Sequence, residues 1–396
     1  MNFIASIAIV LAAALVGRVL SKKLNQPVIL GELVLGAITG NILLMTNHGV
    51  LALDPAVDYL ADIGMLFLLL SAGLSLNLRE FKKIEKSSAL VATLGVILPF
   101  ILGYIVAICF GFSHTTALFV GTALMATSIG VKAEVLLELR IIGTRLGSLI
   151  MGAAIIDDII TVTILTILIS MVKTGYVAIW EIIIFLFLAL LFFSAAILLT
   201  KEKVSNLLDG YLANIKLGGE NLLIMGVVTV LIFSLVAENI GLSLIIGAFI
   251  AGIIIGQLSF FRGLKDYVSL IGGGFFIPMF FVTIGMTFDF NAFLSMGWFA
   301  VVLLIVAIIG KLVGCGLGAK LAKFDNRDSI AAGVAMIPRA GIELILVKLG
   351  LDYGIINREI ASAILIMVII TTLITPPLLV KVLKKQFLNT AIKYLT

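Results

Sequence analysis

The segment Gly152-Ala-Ala-Ile-Ile-Asp157-Asp158-Ile-Ile-Thr161 places two adjacent aspartates halfway along an apolar stretch, residues 144–172. A stretch of this length crosses a bilayer, because the hydrocarbon core takes about 20 apolar residues in a helix. A charged side chain at that depth costs roughly 2.5–3.5 kcal/mol even on the mildest insertion scale. The segment therefore predicts a transmembrane helix whose two carboxylates have a function.

The rest of the chain has the same membrane character. Of its 396 residues, 62% are hydrophobic and only 12% are charged, against about 25% charged in ordinary soluble domains. The mean hydropathy is +1.26. These values exclude a soluble enzyme, a nucleic-acid-binding protein and a disordered scaffold. Cys109 and Cys315 both lie in apolar stretches, so no disulfide framework is expected.

Hydropathy and helix breakers predict about 13 transmembrane helices, an all-α polytopic membrane protein. The predicted spans are 3–20, 27–45, 59–76, 87–110, 114–138, 144–172, 176–200, 219–237, 241–258, 267–288, 293–319, 329–347 and 355–380. Loops after odd-numbered spans, with the C-terminal tail, carry 22 lysines and arginines, whereas loops after even-numbered spans carry 3. The positive-inside rule then predicts an outside N-terminus and a cytoplasmic C-terminus. We expect a multi-pass protein of a prokaryotic plasma membrane.

Three pairs of segments repeat in one order at nearly one spacing. Span 2 and span 9 share a glycine pattern at an offset of 216 residues, the ends of spans 3 and 10 match at 212, and Met125–Val131 matches Met336–Ile342 at 211. The paired spans are seven apart, an odd number, so the two copies cross the membrane in opposite directions. This predicts an inverted repeat of six plus six spans joined by span 7, an arrangement of secondary transporters.

Spans 5 and 12 are predicted to be two crossing broken helices. Thr127-Ser128-Ile129-Gly130 and Pro338-Arg339-Ala340-Gly341 place polar groups and helix breakers within apolar stretches. Unwound backbone at membrane depth is tolerated where it lines a site. The hydroxyl groups of Thr127 and Ser128, with carbonyls freed by the break, are oxygen ligands suited to Na⁺. Their alternative role is to bond back to their own helix.

A buried carboxylate binds a proton or a cation because it does not remain charged and unpaired. If Asp157 or Asp158 accepts H⁺ or Na⁺ but not both, and crosses only when neutralised, the result is exchange. The sequence therefore predicts a sodium/proton antiporter, a secondary transporter and not an enzyme, with no cofactor and no covalent chemistry. The alternative is a pair of structural carboxylates, each satisfied by a neighbour.

Other ionisable residues are predicted to support these aspartates. Lys311 lies in the middle of span 11 and is the expected counter-ion of one aspartate, either as a proton-releasing partner or in a fixed salt bridge. Arg339 and Glu343 could pair with each other, or with Lys132 and Glu134 of the other repeat. We expect these four to be structural charges at the broken helices. Glu32, near the start of span 2, is expected to be interfacial.

The chain resembles the cation:proton antiporter family 2, and within it the NapA-type sodium/proton antiporters. The resemblance covers nearly the whole chain and rests on Pro27–Gly36, Leu66–Leu74, Thr127–Gly130, Val135–Leu139, Asp157-Asp158, Phe275–Met286, Lys311 and Pro338-Arg339. It implies that Asp158 is the main ion- and proton-binding carboxylate and that Asp157 pairs with Lys311. An Asp-Asp pair implies electrogenic exchange of two protons per sodium. The family often has Arg-Gly-Glu after the span-12 proline, whereas here Glu343 follows Arg339 at four residues, so its role is not carried over.

The resemblance also implies a homodimer that works by an elevator-like movement. Residues 1–86 and 219–292 would form the dimerisation scaffold, residues 87–175 and 293–396 the ion-carrying core, and residues 176–218 the linker helix. The partners would be Na⁺ and H⁺, the lipid bilayer and a second copy, with no nucleic acid. Potassium/proton antiport and sodium-coupled organic-anion symport remain alternatives, and the preference for Na⁺ over K⁺ or Li⁺ is open. A channel would show ion flux without proton coupling. An intramembrane aspartyl protease is disfavoured, because neighbouring aspartates on a helix point about 100° apart and do not share one proton.

Overall fold

A computed structural model of the protein describes residues 2–24, 26–46, 54–174, 179–212, 219–288, 297–339 and 342–395. Within these ranges the regular elements are all helical. The α-helices are α1 (Phe3–Lys23), α2 (Val28–Thr46), α3 (Ala56–Ser75), α4 (Leu78–Lys83), α5 (Glu85–Cys109), α6 (His114–Met125), α7 (Ile129–Glu138), α8 (Arg145–Thr174), α9 (Ile179–Leu199), α10 (Glu202–Leu212), α11 (Gly219–Asn239), α12 (Leu244–Ile255), α13 (Leu264–Ile271), α14 (Ile277–Met286), α15 (Trp298–Leu321), α16 (Asn326–Ala335), α17 (Ile342–Asp352) and α18 (Arg358–Leu395). A 3₁₀ turn at Ser259–Phe261 precedes α13, and a π-helical turn at Gly272–Phe276 joins α13 to α14.

The predicted spans are confirmed in number and order. Ten helical stretches of the described chain are long and apolar enough to cross a membrane, and two shorter apolar helices, Val28–Leu43 and Leu244–Ile255, correspond to spans 2 and 9. Span 12 is the interrupted pair α16 and α17. Helices α4 and α10 lie in the connections between spans.

Glycine contacts between helices show the inverted repeat directly. A Cβ at Gly36 of α2 would lie 3.0 Å from the Cα of Gly285 in α14, and a Cβ at Gly73 of α3 would lie 2.8 Å from the Cα of Gly252 in α12. The sequence offsets relate Gly36 to Gly252 and Gly73 to Gly285. The repeat therefore exchanges one contact for the other, as an internal two-fold relation requires.

The same relation holds one helix further out. A Cβ at Gly31 would lie 2.1 Å from Gly17 O, and a Cβ at Gly247 would lie 2.4 Å from Phe233 O, the equivalent atom 216 residues later. Each contact brings two helix backbones together where no side chain fits. Small residues produce such close approaches in membranes, because helices there associate through packing and not through exclusion of water.

Two groups of helices have extensive internal packing. In the first, α2 packs on α1 and α14, and α3 packs on α12 and α14. In the second, α5 packs on α6, α8 and α15, and α15 also packs on α16 and α18. Gly95 and Gly314 lie where α5 and α15 cross, with Leu94 O 2.5 Å from a Cβ built on Gly314. Helix α7 contacts α2 and α3 of the first group and α8 of the second, so it joins the two groups.

The two interrupted helices cross at their breaks. Helix α6 ends at Met125, and α7 begins at Ile129 with Ser128 as its N-cap. The backbone N–H of Ser128 donates to Pro338 O at 2.8 Å, which ties the first break to the second. The other two predicted members of the second break, Ala340 and Gly341, lie outside the described residues.

Helix α9 and the short helix α10 run along the outside of this assembly. Only Phe185, Ala189, Phe192 and Ala196 of α9 are buried. The Asp209 carboxylate of α10 accepts hydrogen bonds from the backbone N–H groups of Ser259 and Phe260 at 2.9 and 3.0 Å. Slight burial opposes the charge of this carboxylate, but these bonds and one from the Ser259 hydroxyl hold its pKa below the ordinary value.

Candidate functional site

Asp157 lies at the centre of a buried hydrogen-bond network. Lys311 Nζ donates to Asp157 Oδ1 at 2.7 Å, and neither side chain is exposed. The hydroxyl of Thr127 donates to Asp157 Oδ2 at 2.6 Å. Both carboxylate oxygens therefore have a partner, one of them positively charged, which satisfies the requirement for a buried charge.

Asp158 has a different environment, although it follows directly in the chain. Its side chain is 3% exposed, and its Oδ1 has no hydrogen-bond partner. Successive residues of an α-helix point about 100° apart, so the two carboxylates face different neighbours. A buried carboxylate oxygen without a partner is costly when charged, and a proton or a cation would remove that cost.

The break between α6 and α7 supplies further polar groups beside Asp157. Lys132 is 1% exposed, and its ammonium donates to Thr127 Oγ1 at 2.7 Å and contacts Met336 Sδ at 3.3 Å. The chain of contacts runs from Lys132 through Thr127 and Asp157 to Lys311. The Ser128 hydroxyl instead accepts from the N–H of Val131 at 3.4 Å and caps α7. Its oxygen thus bonds to its own helix in this structure, and its expected role as an ion ligand stays a prediction.

Arg339 and Glu343 lie near the second break without pairing through hydrogen bonds. The guanidinium of Arg339 donates to backbone carbonyls: Nη1 to Ile337 at 3.1 Å and Nη2 to Leu124 at 2.5 Å. The Leu124 carbonyl lies in the last turn of α6, and the Ile337 carbonyl lies just before Pro338. Arg339 therefore satisfies acceptors that the broken helices leave free. Both Glu343 oxygens are buried without a hydrogen-bond partner in the described chain. The Arg339–Glu343 ion pair considered from sequence is therefore not formed.

Lys132 and Glu134, grouped together from sequence, lie in different places. Lys132 belongs to the network around Asp157, whereas Glu134 is half-buried and lies among the charges of Arg18, Glu32 and Glu138. Residues two apart on a helix do not share a face, which separates them. The expected pairing of Arg339 or Glu343 with these two is likewise not formed in the described residues.

Sequence reasoning missed a second polar cluster, between α1, α2 and α7. Glu32 is 2% exposed and forms a salt bridge with Arg18 of α1. It is thus a buried ion-pair partner, more enclosed than an interfacial residue. Glu138, at the end of α7, accepts the N–H of Val28 at 2.8 Å through Oε1 and at 3.0 Å through Oε2. Two signals were available in the sequence: the acidic residues of predicted span 5, and the start of span 2 after Pro27, which has no capping side chain. Neither signal indicates which residue each carboxylate contacts.

The arrangement around Asp157 and Asp158 suits reversible ion binding and no covalent reaction. Asp158 offers a buried carboxylate oxygen without a partner, and oxygen is the ligand type that hard cations prefer. Inverted repeats with broken helices crossing beside buried carboxylates are a feature of secondary transporters. The fold and the site define a membrane-embedded secondary transporter.

The chain belongs to the sodium/hydrogen exchanger family, whose transmembrane domain it matches over residues 10–385. It is 33% identical over 378 residues to the Na⁺/H⁺-K⁺ antiporter GerN of Bacillus cereus, covering 96% of this chain and 95% of that one. It is also 33% identical over 389 residues to a Na⁺/H⁺ antiporter of Enterococcus hirae, covering 98% of this chain and 100% of that one. The resemblance found from sequence is confirmed at the level of the family, and with it the class of transporter.

The fold also matches a solved structure of distant sequence. The sodium proton antiporter MjNhaP1 from Methanocaldococcus jannaschii superposes with a TM-score of 0.70 at 17% identity, covering 96% of each chain. At that identity the likeness concerns the fold alone. The all-α, polytopic architecture predicted from sequence is confirmed.

Proposed function

We propose that this protein exchanges Na⁺ for H⁺ across the membrane, with Asp158 as the carboxylate that binds either ion. The main support is the contrast between the two adjacent aspartates. Both oxygens of Asp157 accept hydrogen bonds, whereas Asp158 has a buried oxygen without a partner. Na⁺ and H⁺ compete for that oxygen because either one neutralises it. The names of the relatives in Bacillus cereus and Enterococcus hirae support Na⁺ as the cation.

Lys311 gives the exchange its second proton in this proposal. Its ammonium is held only by Asp157 among the described side chains. A cation arriving between the two aspartates would compete with Lys311 for Asp157, and the ammonium would then lose the carboxylate that holds it. One Na⁺ would then displace a proton from Asp158 and one from Lys311, which makes the exchange electrogenic.

Alternating access would arise from movement between the two groups of helices. Residues 1–86 and 219–292 would form the scaffold, residues 87–175 and 293–396 the mobile core, and residues 176–218 the linker. The internal packing of each group supports this division, and so does the peripheral position of α9. In the same proposal two copies associate through the scaffold, the N-terminus faces outside, and the C-terminus is cytoplasmic in a prokaryotic plasma membrane.

The decisive experiment measures stoichiometry. The protein is reconstituted in liposomes with a fixed Na⁺ gradient, the potential is clamped with K⁺ and valinomycin, and the potential at which proton flux reverses is determined. Reversal at the value for two protons per sodium supports electrogenic exchange with two titrating groups. Independence from potential would mean one-for-one exchange and a purely structural Asp157–Lys311 pair. Absence of Na⁺-dependent proton flux would refute antiport.

The choice of cation and the role of Asp158 need separate tests. Proton flux measured without valinomycin, with K⁺ or Li⁺ in place of Na⁺, ranks the three cations. We expect Asp158→Asn to abolish the flux while the protein remains folded, and Asp352→Asn, at an exposed position, to leave it unchanged. Full Na⁺-dependent flux in Asp158→Asn would remove this residue from the mechanism.

A further inference from the structure

A largely apolar cavity of about 490 Å³ lies between α5, α8, α9 and α12, apart from the Asp157–Lys311 network. Its walls are mainly aliphatic and aromatic, including Ile155 and Ile159 of α8, Leu190 and Phe193 of α9, and Ile253 of α12. The volume is within the range of ligand pockets in proteins. A cavity with so few polar groups does not hold ordered water, because water needs several hydrogen-bonding partners. Its occupant is therefore apolar.

The cavity is as long as one half of the bilayer. Along α9 its lining extends from Leu190 to Thr200, which is about 15 Å at the helical rise of 1.5 Å per residue. The hydrocarbon core of a bilayer is about 30 Å thick, so each leaflet contributes about 15 Å. Thr200 and Lys82 lie next to the basic loops that the charge asymmetry assigns to the cytoplasmic side. The dimensions and the direction are those of one lipid acyl chain.

A second, polar pocket of about 460 Å³ continues from the open end of this cavity. The two share Leu78, Lys82 and Thr200 in their linings. Arg79 and Lys201 complete a group of three cations with Lys82 in the polar pocket, and none of the three forms a salt bridge within the described chain.

Carboxylates at the same place are fewer than the cations. Glu202 lines the polar pocket and Glu85 lines the apolar cavity, so the combined site has an excess of positive charge. Cations at this level of a membrane attract anionic lipid headgroups, and each contributes to that attraction independently. An apolar chamber that ends among unpaired cations is complementary to a molecule with an acyl chain and a phosphate.

We propose that these two connected pockets bind one anionic phospholipid of the cytoplasmic leaflet, with an acyl chain between α8, α9 and α12 and its phosphate among Arg79, Lys82 and Lys201. The lipid would contact α8, which carries the two aspartates, together with α9 and α12. It would thus fill a gap between the linker helix, the scaffold and the core.

The test uses the full chain and phosphatidylglycerol as the probe. Detergent-purified protein is titrated with phosphatidylglycerol or phosphatidylcholine, and bound lipid is counted by native mass spectrometry. We expect one tightly retained phosphatidylglycerol, and a loss of affinity of about tenfold or more in the triple variant Arg79→Gln, Lys82→Gln, Lys201→Gln, because each surface cation contributes to the binding of anionic lipid. All three side chains are exposed, so the variant is expected to fold.

Two controls keep the result specific. The variant Lys23→Gln, Lys320→Gln, Lys323→Gln removes the same charge from other exposed positions and should retain the lipid. Ala196→Trp fills the apolar cavity and should lose it with all three cations present. Equal retention by both charge variants, equal retention of phosphatidylcholine, or competition by glycerol phosphate without acyl chains would overturn the proposal.

Discussion

Lys311 and Asp157 are 154 residues apart in sequence, yet their charged atoms lie 2.7 Å apart and neither side chain is exposed. Helix α15 provides the lysine and α8 the aspartate, so the pair joins two helices that come from different halves of the inverted repeat. Because both groups are fully desolvated, replacing either side chain by an uncharged one leaves the other as an uncompensated buried charge.

We expect Lys311→Met to destabilise the protein by about 3–5 kcal/mol, the usual cost of breaking a buried ion pair from one side. The double variant Asp157→Asn, Lys311→Met should lose less, since no unpaired charge remains and the asparagine still accepts from Thr127. Chemical denaturation in detergent of the wild type, both single variants and the double variant measures the coupling energy. Additive losses would show that the pair contributes nothing to stability.

The fold could be predicted from sequence almost completely, because each of its determinants is a local pattern. Apolar stretches, the asymmetry of loop charge and the glycine spacing of spans 2 and 9 can each be read from short segments of the sequence. They gave the number of spans, their order and the inverted repeat. The contact of Gly36 with Gly285, and its counterpart between Gly73 and Gly252, confirms a relation that only the offsets had indicated.

The backbone contacts of these glycines are themselves open to test. A methyl group at Gly73 would lie 2.4 Å from Phe249 O, and one at Gly285 would lie 2.2 Å from Leu33 O. We expect Gly73→Ala and Gly285→Ala each to cost about 1–3 kcal/mol, the range for overpacking a filled interior. Gly273→Ala is the matched control, since a Cβ there would have no atom of another helix within 4 Å. Melting temperatures of the three variants are measured in detergent. An equal decrease in all three would show that the close contacts at Gly73 and Gly285 are not the cause of the destabilisation.

The site was predicted less completely than the fold. The buried charges Asp157, Asp158 and Lys311 could be found because charge is rare in the membrane. Their signs predict that Lys311 pairs with one aspartate, and only the family resemblance indicated Asp157. The position of Lys132 could not be found, because it depends on how the chain turns between α6 and α7. The bond from Glu138 to the N–H of Val28 spans 110 residues, and a carboxylate–backbone contact leaves no periodic mark in a sequence.

Lys132 provides a test of competition in the site. Its ammonium contacts Thr127 and adds positive charge beside both aspartates. We expect Lys132→Gln to lower the KM for Na⁺ about three- to tenfold, because like charges a few ångströms apart repel even at an effective dielectric constant of about 20. Glutamine can still donate to Thr127. Na⁺-dependent proton flux in liposomes gives the KM, with the exposed Lys320→Gln as control. An unchanged or higher KM would show that Lys132 does not oppose the cation.

Glu138 holds the end of α7 against the start of α2, which the proposed mechanism assigns to the core and the scaffold. Both of its oxygens accept from the N–H of Val28, so the carboxylate caps the start of α2, where the N–H groups have no acceptor within the helix. If the core moves against the scaffold, this contact breaks in each cycle. Removing it should destabilise the described conformation relative to the alternative one by about 1 kcal/mol, the typical contribution of a helix cap.

We therefore expect Glu138→Ala to increase hydrogen exchange at the Val28 amide and to change the maximal rate of Na⁺-dependent proton flux, while Asp158 still binds its ions. Glu138→Gln keeps an oxygen acceptor without the charge and should be intermediate. Glu220→Ala is the control, because Glu220 is an exposed carboxylate in the first turn of another helix of the scaffold group. Hydrogen exchange at Val28 equal to that of the wild type would show that α2 begins without this cap. Faster exchange with an unchanged flux would separate the cap from the movement, because the contact would then stabilise α2 without restraining the core.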